Sequence, residues 1–314
     1  MQQLKIVVTG ATGHVGRYAV DALARAGHEV VAVSRSGALP ELPFGSGPHG
    51  GRVRGAALDV GTDAAVEGLA AALDSAGALV HLAAWHPAST ASTGPAERRQ
   101  LVQTNVHGTL RALEAARRCS VPAVVYASSF EVYGDVIDSP ITEETRLTPI
   151  TDYGATKLSG EDHLFAFAYE AKARAVALRM PAIYGPGEKT PRALPNFLAA
   201  VGRGELPTIQ GDGADLRDEL HVADAARAIA LALESQGSGI YNIADGSAHS
   251  IAELAQTAID VAGLEGAPRS APRAKPRRDY HMSIDKARRE LGFEPRVALR
   301  AGMAEQLAWL RSMR

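Results

Sequence analysis

The chain has 314 residues, is 46% hydrophobic and 22% charged, and carries a formal net charge of −2. Those values describe a soluble globular protein of one large or two unequal domains. They exclude binding of nucleic acid or an anionic membrane through bulk positive charge. The single cysteine, Cys119, excludes an internal disulfide and fits a reducing compartment. Without a basic-plus-apolar leader or an apolar run of about 18 residues, a cytoplasmic location and no membrane partner are expected.

In chain order, Leu4 to Thr9 is a short β-branched run typical of a buried parallel strand. It leads into Gly10, Gly13 and Gly16, spaced three and three. Tyr18 to Ala24 then reads as a helix closed by Gly27. Strand, glycine turn and helix is the context a dinucleotide fingerprint requires: Gly10 for the tight turn, Gly13 for close backbone approach, Gly16 for packing of helix on strand. Glu29 to Val33 is the second strand. Residues 37 to 51, rich in Gly and Pro, read as a loop. Strands follow at 53 to 58, 78 to 82, 123 to 127 and 175 to 178. Helices are predicted at 64 to 73, 97 to 118 (one long helix) and 153 to 169.

This alternation predicts a doubly wound parallel α/β sheet whose ligands bind beyond the carboxyl ends of the strands. After residue 180 the prolines at 181, 186, 191, 195 and 207 break the rhythm. A strand at 239 to 243 and helices near 222 to 234, 250 to 263 and 284 to 291 follow. The expected division is a dinucleotide-binding domain over 1 to 180, with 216 to 245 returning to it. Residues 181 to 215 and 246 to 314 form a smaller mixed α/β substrate lobe, and the cleft between the two takes a small ligand.

Tyr153 and Lys157 carry the most specific chemistry. Four residues apart on a helix, they share one face. An ammonium beside a phenol lowers its pKa from about 10 and makes it a base for a sugar or alcohol hydroxyl. No His/Cys/Asp cluster has metal-ligand spacing, so no metal is expected.

With these residues, the chain resembles the extended short-chain dehydrogenases/reductases, specifically the nucleotide-sugar epimerase/dehydratase group. The matching segments are Gly10-x-x-Gly13-x-x-Gly16, Asp59-Val60, His81-Leu82-Ala83-Ala84, Asn105-Val-x-Gly108-Thr, Ser128-Ser129-Phe-Glu-Val-Tyr133-Gly134, Tyr153-x-x-x-Lys157, Tyr184-Gly-Pro-Gly187 and Arg217-Asp218. The resemblance implies a catalytic set of Ser129, Tyr153 and Lys157. It implies an NAD or NADP cofactor, tightly bound, held by Gly10, Thr12, Gly13, His14, Val15, Gly16, Ser34, Arg35, Asp59, Val60, Leu82, Ala83, Ala84, Asn105, Tyr153, Lys157 and Pro181. A nucleotide-sugar substrate would meet Trp85, His86, Ser129, Phe130, Glu131, Ala182 and Arg217, the last at the diphosphate. It also suggests a homodimer through the helices at 97 to 118 and 153 to 169.

Four departures shape the expected function. Ser34-Arg35 stands where an acidic residue would select NAD, which tilts towards NADP. Phe130-Glu131 replaces the Asp-Glu pair of sugar 4,6-dehydratases, which disfavours simple dehydration. Ala182 stands where many relatives place an Asn. Trp85-His86-Pro87 opens a loop rich in Ser and Thr, and His86 is an additional candidate acid or base. The leading expectation is a nucleotide-sugar epimerase inverting C4 through a transient 4-keto intermediate. An NADP(H)-dependent oxidoreductase of a keto-sugar or small alcohol is the alternative, and a non-catalytic nucleotide sensor the third.

Overall fold

The structure is a computed structural model that describes residues 3–39, 51–87, 93–136, 139–273 and 276–313. Most of the predicted loop over 37 to 51, and the Ser/Thr-rich segment 88–92, lie outside the described residues.

In chain order the first half comprises β1 (Lys5–Thr9), α1 (His14–Arg25), β2 (Glu29–Ser34), β3 (Val53–Ala57), α2 (Ala65–Leu73), β4 (Ala78–His81), α3 (Pro95–Leu101), α4 (Gly108–Arg118), β5 (Ala123–Ser129), α5 (Asp152–Ala171) and β6 (Arg174–Met180). The second half comprises β7 (Ala182–Tyr184), α6 (Ala193–Gly202), β8 (Thr208–Gln210), β9 (Leu216–Arg217), β10 (Glu219–His221), α7 (Val222–Glu234), β11 (Gly239–Asn242), β12 (His249–Ser250), α8 (Ile251–Ala262), β13 (Arg269–Ala271), α9 (Asp285–Leu291) and α10 (Leu299–Ser312).

Seven strands form one parallel sheet in the order β11-β6-β5-β4-β1-β2-β3. Alternation along β1 sends Ile6 and Val8 to one face and Val7 to the other. The Ile6 face is covered by apolar positions of α1, α7 and α9, and the Val7 face by those of α2, α4 and α5. The chain runs from β1 outward through β2 and β3, then crosses to β4 on the other side of β1. Strand order therefore reverses between β1 and β4, where a doubly wound sheet opens a crevice.

A second core joins α6, α8 and α10 through Leu194, Phe197, Leu198, Leu254, Ile259, Met303 and Leu307. Three separate two-stranded pairings, β10 with β7, β12 with β9 and β13 with β8, lie outside the main sheet. The sequence reading missed α6 and α10; Pro195 lies in the first turn of α6, where its missing N–H costs nothing. It also assigned α9 to the smaller lobe, but Ala287, Leu291 and Phe293 pack into the core of the main sheet. The single helix expected over 97 to 118 is broken by a wider π-type turn at Val102–His107.

Candidate active site

Two cavities meet the carboxyl edge of the sheet. The smaller, about 220 Å³, runs past Gly10, Thr12, Gly13, Ser34, Arg35, Asp59, Val60 and Leu82 to Trp85. Its floor exists because Gly10 lacks a side chain: φ is +69°, and a Cβ would lie 2.8 Å from the Ala83 amide nitrogen. A Cβ on Gly16 would sit 2.1 Å from Gly10 O, so α1 approaches β1 only through glycine there. The turn thus aims the start of α1 across the switch point, as a pyrophosphate cradle requires. Asp59 fixes its own end of the groove by accepting from the Gly61 amide at 2.8 Å.

Not every expected groove residue faces it. Asn105 is buried, and its amide is spent on neighbours. Oδ1 accepts from the Trp85 amide (2.7 Å), and Nδ2 donates to Trp85 O (3.0 Å) and Thr156 Oγ1 (3.1 Å). It holds the wall, while Gln100 and Thr104, which the sequence reading did not single out, line the groove. Val15 packs against the hydrophobic core. His14 turns its Nδ1 to Glu188, 3.3 Å away. Trp85, expected at the substrate, lines this groove instead of the larger cavity. Pro181 follows β6 as the link to β7.

Beneath the groove, His81 ties β1 to α4. Thr109 Oγ1 donates to Asn105 O (2.6 Å), so it accepts from His81 Nε2 (3.1 Å), and His81 Nδ1 accepts from Thr9 Oγ1 (2.7 Å). Burial and the neighbouring Lys157 charge push the imidazole down to about 3, which keeps it neutral in that role.

The larger cavity, about 790 Å³, is lined by His86, Phe130, Glu131, Ala182, Arg192, Arg217, Glu219 and Tyr280, among others. Thr151 organises its inner end. Its hydroxyl caps α5 by accepting from the Gly154 amide (2.9 Å) and donates to Glu131 Oε2 (2.6 Å). Ser129 closes β5, its Oγ accepting from the Glu131 amide at 3.2 Å. A Cβ on Gly154 would lie 2.5 Å from Glu131 O, so the turn carrying Ser129, Phe130 and Glu131 presses on the start of α5, beside Tyr153. His86 meets Tyr153 edge to face, ring centroids 4.5 Å apart, with Nε2 3.9 Å from Glu131 Oε1. Phe130 stacks edge-on against Tyr280 (4.8 Å), and Arg217 lies over the same ring (5.2 Å).

Lys157 Nζ lies 5.7 Å from the Tyr153 ring centre and donates to Ala127 O at 2.8 Å. The expected depression of the phenol by this ammonium is corrected by the structure. Burial raises the Tyr153 phenol well above its ordinary value, and the Glu131 carboxylate adds to the rise while Arg192 opposes it. Lys157 is itself desolvated, pushed down to about 8, and its proton is engaged by the Ala127 carbonyl. A buried network lies behind the pair. Ser128 donates to Glu161, whose carboxylate pairs with Arg179 through Nε (2.9 Å) and a terminal nitrogen (2.6 Å), and Arg179 also meets the Tyr133 hydroxyl (3.0 Å).

The model of the NAD dependent epimerase/dehydratase family matches residues 6–244. The chain belongs to that family. It is 32% identical to a dTDP-glucose 4,6-dehydratase of Streptomyces griseus, covering 98% of this chain and 94% of that protein. It is also 32% identical to a UDP-glucose 4-epimerase of Mycolicibacterium smegmatis, covering 98% and 99%. A solved structure, MoeE5 in complex with UDP-glucuronic acid and NAD, superposes with a TM-score of 0.85 at 33% identity over 99% of this chain and 100% of that one. The glycine cradle and the groove from Gly10 to Asp59 fit the nicotinamide dinucleotide on which the family depends. No helix among the described residues is long and apolar enough to cross a membrane.

Proposed function

We propose that this protein is a nucleotide-sugar epimerase that inverts C4 through a transient 4-keto sugar. The observation that carries the reading is the capped start of α5, which sets Tyr153 against His86 of the larger cavity, with Lys157 one turn on, while Trp85, next to His86 in the chain, lines the dinucleotide groove. The bound dinucleotide would supply the hydride acceptor and donor. Gly10, Thr12, Gly13, Ser34, Arg35, Asp59, Val60, Leu82, Ala83 and Ala84 would hold it, with Arg35 at the ribose end favouring NADP. Tyr153 Oη would exchange the proton of the sugar hydroxyl and Ser129 would hydrogen-bond the same oxygen, which requires that bound cofactor and substrate bring the phenol down from its raised value. Arg217 would meet the diphosphate. Phe130 has no proton to give a leaving hydroxyl, which weighs against dehydration.

A second reading is favoured by His86. It touches Tyr153 and is about one-third exposed, so it offers the phenol a proton path to solvent. Net reduction or oxidation of a keto-sugar needs such a path, and a redox-neutral inversion does not. The test is incubation with UDP-glucose, UDP-N-acetylglucosamine, UDP-glucuronate and dTDP-glucose. A C4-inverted product without consumption of added NADPH supports the epimerase. Many turnovers of NADPH move the assignment to the oxidoreductase, and absence of any inverted product counts against the first reading.

A further inference from the structure

One acidic side chain in the wall of the larger cavity makes no hydrogen bond or close ion pair among the described residues. Glu219 opens β10, opposite Ala182 of β7, and is 7% exposed. Each nearby arginine spends one terminal nitrogen elsewhere, and Arg192 Nε is buried without a hydrogen-bond partner among the described residues. A terminal nitrogen of Arg192 donates to Glu188 Oε2 (2.8 Å) and Ile183 O (3.0 Å). Arg217 donates to Leu216 O (2.7 Å) and Arg278 O (2.5 Å), with its other terminal nitrogen 3.9 Å from Asp215. Burial pushes the Glu219 carboxyl up to about 7, the two arginines opposing and Asp218 and Glu188 adding. A carboxylate that opens into a cavity and that no donor among the described residues reaches is left to accept from a ligand that brings donors.

Glu219 has an acidic companion. Glu131 lines the same cavity and keeps Oε1 towards His86 after Thr151 has bound Oε2. Glu131, Arg192 and Glu219 line one cavity, and His86, which also lines it, touches Tyr153. In that wall the two carboxylates face Arg192, which is paired with Glu188, and Arg217, which lies 3.9 Å from Asp215.

We propose that Glu219 selects sugars that present hydroxyl or ammonium donors and, with Glu131, rejects sugars that carry a carboxylate. The inference rests on the nucleotide-sugar reading and narrows it to neutral or amino sugars.

The experiment is calorimetric binding to the NAD-loaded protein at about pH 8, where the carboxylate is ionised. The probes are UDP, dTDP, UDP-glucose, dTDP-glucose and UDP-glucuronate. The wild type is expected to bind a glucose nucleotide at least about ten-fold tighter than UDP-glucuronate. Glu219→Gln should narrow that ratio to within about three-fold, while Glu219→Asp, which keeps the charge, should preserve it. Glu131→Gln, on a different element, should narrow it in the same sense. Equal or tighter binding of UDP-glucuronate by the wild type overturns the proposal, as does an undiminished preference in Glu219→Gln. If none of the five probes binds while NAD does, the nucleotide-sugar reading itself falls, and this inference with it.

Discussion

At Tyr153, burial and the Glu131 carboxylate raise the phenol, while burial also weakens the hold of Lys157 on its own proton. Two outcomes follow. Tyr153→Phe should lower turnover by about 10²- to 10⁴-fold while fluorescence titration finds dinucleotide affinity nearly unchanged. The second concerns stability. The unfolded Lys157 holds its proton up to about pH 10.5 and the folded one only to about pH 8, so the unfolded state binds more protons between those values. Stability therefore rises with pH through that window. Relative to Lys157→Met, the wild type should gain up to about 3 kcal/mol between pH 8 and 10.5, read from urea unfolding of both proteins. The Tyr-Lys spacing was legible in the sequence because four residues on a helix fix a shared face. The lack of a hydrogen bond to Glu219 among the described residues and the structural duty of Asn105 were not, since both depend on what distant segments bring alongside.

The elements around the switch point put glycine where nothing larger fits. Gly10→Ala would force a Cβ towards the Ala83 amide at a positive φ. It should cost about 1–3 kcal/mol of stability and abolish dinucleotide binding, measured by thermal shift with and without NAD. In α5, Glu161→Gln would leave Arg179 buried with its charge uncompensated, at 1% side-chain exposure. A loss of about 3–5 kcal/mol is expected in chemical denaturation. The strands and helices of the first half were legible because hydrophobic runs and glycine turns there follow one simple alternation. The π-type turn at Val102–His107 was not, because nothing in the residue types there distinguishes a wider turn from an ordinary helical one. The prolines after residue 180 obscured α6, because a helix tolerates proline only in its first turn and that turn cannot be located until the fold is known.

For the whole molecule, the parallel sheet carries the groove from Gly10 to Trp85, and Phe197 and Ile251 of the second core line the larger cavity. Homodimerisation through α4 and α5 remains our proposal. It is encouraged by the exposure of Val102, Leu110 and Tyr169, at 44%, 39% and 88%. Sedimentation should give about twice the chain mass for the wild type and a monomer for Leu110→Glu. The central claim is that a hydrogen leaves C4 of a nucleotide sugar and returns to the opposite face of the same carbon. Its most direct test is incubation of the purified protein with UDP-glucose and dTDP-glucose deuterated at C4, followed by NMR. The account predicts the C4-inverted sugar with its deuterium still on C4 and no net consumption of NAD(P). Deuterium appearing in a pool of added cofactor, or a product that has lost water, would contradict it.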